Sequence, residues 1–148
     1  MNAVRRLSLH ARDEAGAAII EFALVAPLLL VLVWGIIETG RAFYTINSLT
    51  SAVRDGARYG AAACPLGASP GVPDIVSCSG AIDSIVVRGF QPIGLPMEVN
   101  QVDVNVLGTG ANTRIEVVGN YPYAPIVPVA GWQFTLTRRA VFRYERLP

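Results

Sequence analysis

The sequence predicts an α+β fold in which one long N-terminal helix precedes a small antiparallel three-stranded sheet. Three observations support this: an uncharged apolar run, a helical apolar stripe that continues after it, and alternating apolar residues near the C-terminus. A chain of 148 residues is long enough for one ordinary core and too short for two full domains.

The composition argues against several classes of function. A net charge of +1 gives no reason to expect direct binding of nucleic acid. The only histidine, His10, lies near the N-terminus, and the sequence contains no phosphate-binding glycine loop, nucleophile motif or metal-ligand cluster. We therefore expect neither an enzyme nor a bound cofactor or metal.

The hydrophobic residues, 52% of the chain, are concentrated in one segment. Residues 22–37 carry no charge, and extension back to Ala15 gives 23 residues interrupted only by Glu21. As a helix this segment would measure about 35 Å, enough for a hydrocarbon core of about 30 Å. A signal peptide would end in a small-residue cleavage site, which is missing here, and too little chain remains to surround a core helix. We therefore predict a membrane span over about residues 17–38.

Glu21 is unusual in such a segment. A carboxylate costs about 2.5–3.5 kcal/mol at the centre of a membrane helix and less near the headgroups. Taken alone, the residue either reaches headgroup depth or serves a function within the membrane.

The helical pattern continues to about residue 62. Small and apolar side chains recur there at spacings of three and four: Ala42, Ile46, Leu49, Val53, Ala57 and Gly60. Gly56 and Gly60 permit close approach of a second backbone. The sequence leaves open whether this stripe packs on the chain's own head or on a partner's helix.

Cys64 and Cys78 enclose thirteen residues rich in proline, glycine and serine. This spacing is not that of a metal site. Two cysteines around such a loop, outside the membrane, most simply form a disulfide, worth about 3 kcal/mol in the chain-entropy model. Two free thiols are the alternative.

Residues 81–90 fit a short helix with Ile82 and Val86 on one side. Ser79 is expected to cap this helix and Gly89 to end it. The β-branched residues make a strand the alternative.

Period-two alternation predicts three strands, which begin near Val99, Thr113 and Trp132. A turn over residues 108–112 joins the first two. In the third strand Arg138 interrupts the apolar face and predicts a β-bulge. The residues predicted to face inward are Val102, Val104, Val106, Ile115, Val117, Phe134 and Leu136.

Two further groups are weaker candidates for a site. Asp103 and Glu116 lie on neighbouring strands and could face each other, although solvated charges on a sheet are the simpler interpretation. Tyr121, Tyr123 and Trp132 lie among prolines and could form a contact loop, although ordinary loop packing is simpler.

Residues 16–22, Gly-Ala-Ala-Ile-Ile-Glu-Phe, resemble the processing site of type IV pilin-like proteins. In that family a prepilin peptidase cuts after the glycine, and a glutamate is the fifth residue of the mature chain. Residues 21–28, 35–41 and 55–62 together resemble the TadE-like proteins, which are minor pilins or pseudopilins of tight-adherence (Tad) pili. The C-terminal half is similar in pattern only.

The resemblance implies a pilin-like fold and roles for four residues. Gly16 would precede the scissile bond, and Ala17 would become the new N-terminus. Glu21, followed by Phe22, would set the register between subunits by pairing with a neighbour's N-terminal amine. Buried opposite charges are tolerated only when they are paired, which agrees with this role.

The implied organisation is a leader (1–16), a long helix (17–62) and an extracytoplasmic head (63–148), the helix comprising the span (17–38) and an amphipathic stalk (39–62). A single pass would hold the precursor in the inner membrane with its head in the periplasm, for incorporation into an extracellular pilus. The implied partners are a prepilin peptidase, other Tad pilins and minor pilins, an inner-membrane assembly platform and membrane lipid. Arginines flank the span on both sides, so charge does not fix its orientation. The alternative is a permanently anchored extracytoplasmic binding or scaffold protein.

Overall fold

The computed structural model describes residues 2–69, 71–90, 96–126 and 133–145, with side chains described from Gly16 onward. The elements are helix α1 (Asn2–Ala63), helix α2 (Ile75–Gly89) and strands β1 (Val102–Leu107), β2 (Arg114–Tyr123) and β3 (Phe134–Arg143). Short 3₁₀ turns lie on either side of β1. The predicted α+β fold, a long helix with a small three-stranded sheet, is confirmed.

Helix α1 begins at Asn2, whereas the sequence pattern predicted a start near Ala17. It continues through Pro27, whose ring provides no amide for the helical hydrogen bond. The buried hydroxyl of Thr45 is satisfied inside the helix because it donates to the carbonyl of Arg41 at 2.9 Å.

The chain divides into two compact units, Met1–Thr39 and Gly40–Pro148. The first consists of the N-terminal part of α1. The second, here called the head unit, contains the rest of α1 with α2 and the sheet, and it holds the hydrophobic core. The predicted amphipathic stalk therefore lies in the same unit as the sheet, because its apolar stripe supplies part of that core.

Helix α2 packs on the C-terminal part of α1 in the head unit. A Cβ atom added to Gly56 would lie 2.5 Å from Cγ2 of Val86, and one added to Gly60 would lie 2.9 Å from Cδ1 of Ile82. The numbers rise along α1 as they fall along α2, so the two helices run antiparallel. The two glycines let the helices approach closely, because Val86 and Ile82 pack directly on the α1 backbone where another residue would have a side chain.

A disulfide between Cys64 and Cys78 continues this series of contacts beyond the end of α1. Its Cα atoms are 5.6 Å apart, and Cys78 lies in the first turns of α2. The predicted disulfide is confirmed. It holds the two ends of the loop between the helices together, so that α2 packs antiparallel on α1.

Helix α2 begins earlier than predicted. Its N-cap is Asp74, whose side chain accepts a hydrogen bond from the amide of Ser77 at 3.4 Å. Ser79 lies inside the helix, and the predicted cap at this residue is wrong. Residues 81–90 are helical and not a strand, and the helix ends at Gly89 as predicted.

The sheet is antiparallel in the order β1-β2-β3, with β2 in the centre. Val117 of β2 pairs with Val104 of β1 on one side and with Ala140 of β3 on the other. Gly119 of β2 faces α1, where an added Cβ atom would lie 2.8 Å from Cγ1 of Val53. Like the glycines of α1, it removes a side chain at a point of close contact.

Strand β3 contains no bulge, since its pairing with β2 is continuous over all ten of its residues. Arg138 stands opposite Gly119, and its guanidinium donates to the carbonyl of Thr137 at 3.0 Å. The bulge prediction is wrong because Arg138 keeps its place in this continuous pairing while it is only half-buried, with its guanidinium bound within its own strand. Of the other residues predicted to face inward, those buried are Val102, Ile115, Val117 and Leu136, those half-buried are Val104 and Val106, and the one exposed is Phe134.

The C-terminal end of β3 is tied to the end of α1. The amide of Glu145 donates to the carbonyl of Ala61 at 3.1 Å, and the buried hydroxyl of Tyr144 donates to the carbonyl of Cys64 at 2.7 Å. A helix leaves its last carbonyls without helical partners. Here residues about eighty positions further along the chain satisfy two carbonyls at the end of α1.

We expect Gly56→Ala to destabilise the head unit, although alanine is the better helix former. The new methyl would overlap Cγ2 of Val86. Moving a buried side chain costs about 1–3 kcal/mol, which outweighs a gain in helix propensity of up to about 1 kcal/mol. Urea unfolding of the full chain in detergent micelles, followed by near-ultraviolet circular dichroism, measures the difference.

The matched control is Gly80→Ala in α2, because an added Cβ atom there would have nothing within 4 Å. We expect this variant to gain up to about 1 kcal/mol. A Gly56→Ala chain as stable as the Gly80→Ala chain would contradict the packing described here.

Candidate anchoring and assembly segment

The anchor segment (residues 16–37) is an apolar helix whose surface is uncovered. The most apolar window of α1 between Gly16 and Ala63 has a mean hydropathy of 2.5, and none of that window is buried. Phe22 is 69% exposed, and Leu28 is 70% exposed. A core helix would bury such side chains, so that alternative does not fit. A helix of this length and composition can cross a membrane.

Gly16 and Ala17, the predicted cleavage position, lie within α1. An added Cβ atom on Gly16 would have nothing within 4 Å among the described residues, so packing against them does not require a glycine there. Helix stability does not explain it either, because glycine costs about 1 kcal/mol relative to alanine inside a helix.

Glu21 and Phe22 are exposed on the anchor segment. Glu21 is its one charged residue. Among residues whose side chains are described, no cation forms an ion pair with Glu21. The structure thus presents one isolated carboxylate on an otherwise apolar helix surface.

Gly56 and Gly60 face the interior of the head unit, against the chain's own α2. The sequence left open whether they pack on the head or on a partner. The opposite side of the stalk is exposed and mainly polar, with Asn47, Ser51, Arg54, Asp55 and Arg58. A partner that approached the stalk from solvent would meet this polar row and not the glycines.

The outer face of the sheet carries cross-strand polar pairs. Asn120 donates to Asp103 at 3.1 Å, and the hydroxyl of Thr137 donates to Asn120 at 2.8 Å. Glu116 forms an ion pair with Arg139 at 3.3 Å. Asp103 and Glu116 are not opposite each other in the register, and each is bound to a neighbouring strand. They are therefore structural charges of the sheet face.

Among the described residues, Asp83 of α2 has a shifted pKa. Its burial, and then the nearby carboxylate of Asp103, raise the pKa of Asp83, because both disfavour its charged form. Its Oδ1 atom is buried without a hydrogen bond among the described residues. The described residues contain no group of three or more His, Cys, Asp or Glu able to hold a metal ion.

The contact-loop prediction is wrong for Tyr121 and Tyr123. Strand β2 extends two residues beyond its predicted end, so both rings lie on its inner face and are buried. Tyr121 makes an edge contact with Phe90, with ring centroids 4.8 Å apart. Trp132, the third member of that group, lies outside the described residues.

These features define a class: an α+β protein with an N-terminal helix able to cross a membrane and a disulfide-closed head unit. Residues 16–58 match the family model of the TadE-like proteins, so the chain carries a TadE-like domain and is related to the Tad pilus system. The match begins at Gly16, includes Glu21 and Gly56, and ends within the stalk. It confirms the family resemblance predicted from the sequence. No curated protein and no solved structure matches the chain.

We expect both cysteines to be oxidised in the protein as isolated from the cell. Under denaturing conditions an alkylating agent should add no mass before reduction and two adducts after it, because Cys64 and Cys78 are bonded to each other. Replacing both with serine should lower the free energy of unfolding by about 3 kcal/mol.

The reduced wild-type chain is the matched control, since it should lose the same stability while the serine variant should not respond to reductant. Alkylation of the native protein before reduction would refute the disulfide.

Proposed function

We propose that this protein is a minor pilin or pseudopilin that takes part in the assembly of a Tad (Flp-type) pilus. The observation that carries the proposal is the exposed anchor segment with Glu21 as its one charge. An apolar helix with a single carboxylate is stable in lipid, and it is also able to pack against other helices once it leaves the lipid.

The first step of this function is removal of the leader. A prepilin peptidase would cut between Gly16 and Ala17 and leave a chain of 132 residues (148 − 16). The open space around Gly16 supports this step. Since packing against the described residues does not require a glycine there, recognition by the peptidase would explain it. The cut creates a positively charged amine at Ala17, at the beginning of the anchor segment.

The second step is assembly through Glu21. A carboxylate without a partner is costly once it leaves water, and a neighbouring subunit's new N-terminal amine would supply the missing charge. Because a charge pair forms at one position only, it would fix the axial register between packed anchor segments. Phe22, exposed beside it, would contribute apolar contact at the same level.

The disulfide supports a head that lies outside the cytoplasm, because such bonds persist in oxidising compartments. Since Cys64 follows the anchor segment in the chain, we place the head unit in the periplasm and the N-terminus in the cytoplasm. The protein would be held in the inner membrane by a single pass until other Tad pilins and the assembly platform take it up. The proposed role is structural and not enzymatic.

One observation favours a second candidate, a permanently anchored scaffold or binding protein. Helix α1 runs without interruption through the bond between Gly16 and Ala17. A peptide bond inside a helix must be unwound before a peptidase can cut it. Processing therefore separates the two candidates.

We expect the membrane-extracted protein to lack residues 1–16 when the cell contains the peptidase. Gly16→Leu should remain full length, because a large side chain would occupy the position that the peptidase reads. Intact-mass spectrometry measures both results. Gly35→Leu is the matched control, since Gly35 also lies in α1 with nothing within 4 Å of an added Cβ atom. It should be processed normally, and a full-length wild-type chain would favour the scaffold instead.

We expect Glu21→Gln to be processed normally but lost from pili. Breaking a buried charge pair costs about 3 kcal/mol or more, which corresponds to at least about a hundredfold loss of incorporation. Immunoblots of sheared pili, normalised to the membrane pool, measure this ratio. The matched control is Glu145→Gln, which removes an exposed charge from the head unit and should leave incorporation unchanged. Normal incorporation of the Glu21→Gln chain would contradict the register function.

A further inference from the structure

Strand β2 is oriented so that its last residues lie beside the first residues of the head unit. An added Cβ atom on Gly60 would lie 3.1 Å from Cγ2 of Ile115, near the start of β2. The guanidinium of Arg41 lies over the ring of Tyr123, at the end of β2, with 5.6 Å to the ring centroid. Strand β2 therefore runs antiparallel to this part of α1. Its last residue, Tyr123, and the first residue of β3, Phe134, lie at the level of Arg41.

A stack of three side chains forms at this end. The rings of Tyr123 and Phe134 are stacked with centroids 5.0 Å apart, and Arg41 lies over Tyr123. Tyr123 is buried, whereas Phe134 is 45% exposed. The buried tyrosine is thus in contact with both an exposed phenylalanine and a half-buried arginine.

Further exposed apolar side chains belong to the same end of the head unit. Phe43 is 62% exposed, and Tyr44, beside it on α1, is also exposed. Ile126 follows the end of β2 by three residues and is 55% exposed. We call Arg41, Phe43, Tyr44, Ile126 and Phe134 the proximal patch. The four aromatic and aliphatic side chains of the proximal patch are thus exposed at one level of the head unit.

Chain connectivity indicates what covers this patch. Arg41 follows Ile37, the last residue of the uncharged run, by four positions. Even a fully extended chain covers no more than about 14 Å over that distance. The polar headgroup layer adds about 5–8 Å on each side of the hydrocarbon core. If the anchor segment crosses a membrane, the surface of that membrane therefore lies within reach of the proximal patch.

The side chains of the proximal patch are also of the types found at a membrane surface. Aromatic rings are enriched at the level of lipid headgroups, where one part of the side chain meets hydrocarbon and another meets water. Arg41 beside them places a positive charge at the same level, and an arginine covers apolar surface with its methylene groups. We propose that the proximal patch rests on the phospholipid headgroup layer where the anchor segment leaves the membrane. The head unit is then held against the bilayer before it is extracted. This inference rests on the membrane-spanning part of the proposed function and not on processing or assembly.

The test uses the full chain, one per phosphatidylcholine nanodisc, with Trp34 and Trp132 replaced by phenylalanine. Phe134→Trp then places a single fluorescent reporter in the patch and keeps an aromatic ring over Tyr123. Leu107→Trp is the matched control, because Leu107 ends β1 at the opposite end of the sheet and is 40% exposed. The quencher is phosphatidylcholine with a nitroxide on its headgroup, which acts only at short range.

We expect Phe134→Trp to lose about half or more of its emission, since interfacial rings lie at headgroup depth, while Leu107→Trp keeps nearly all of it. Ile126→Trp should behave like Phe134→Trp, and it leaves the aromatic stack intact should the other variant fail to fold. Equal emission from the proximal and distal reporters would overturn the proposal. The patch reporters could also be shielded from quenching by acrylamide only when several chains share a nanodisc. That result would overturn the proposal too, and it would assign the patch to a second copy of the chain.

A separate variant that retains only Trp34 reports on the anchor segment. Its quenching by a nitroxide on the lipid acyl chain shows that the anchor is inserted. If Trp34 is quenched and the patch reporters are not, the patch proposal fails while the proposed anchor stands. If none is quenched, the membrane-spanning function fails as well.

Discussion

The close approach of α2 to the C-terminal part of α1 is the contact on which the rest of the head unit depends. Gly56 and Gly60 provide the space, and Val86 and Ile82 fill it. The same face of α1 carries the residues that meet Gly119 on the central strand, so helix packing and sheet packing share one surface. The disulfide and the hydrogen bonds from the end of β3 then close the far end of this arrangement.

The two parts of α1, the anchor segment and the stalk, differ in how their apolar side chains are covered. In the anchor segment the apolar side chains point outward and find no partner among the described residues, as lipid or other helices require. In the head unit the small and apolar side chains of the stalk face the core, and a polar row faces solvent. Gly56 and Gly60 are therefore already in contact within the head unit, whereas the anchor segment keeps its apolar surface uncovered among the described residues.

Local patterns predicted much of this fold. The alternation in the strands, the helix at residues 81–90 and the disulfide depend on neighbours in the sequence, and each prediction agrees with the structure. The cap predicted at Ser79 failed locally because Asp74 caps α2 earlier, whereas two other predictions failed because they depended on distant parts of the chain. Arg138 needs no bulge because its strand pairs continuously with β2 and its guanidinium binds a carbonyl of that same strand. Tyr121 is buried with its ring against Phe90, which lies far earlier in the chain.

The sequence by itself determined the anchor segment, the isolated charge of Glu21 and the relationship to TadE-like proteins, because these depend on which residues follow one another along a single helix. The tertiary structure alone decided that Gly56 and Gly60 meet the chain's own α2 and that Arg41, Tyr123 and Phe134 stack together. The physical reason is that α2 and β2 both run antiparallel to α1, which brings together residues from about twenty to more than eighty positions apart, and no local pattern encodes these directions.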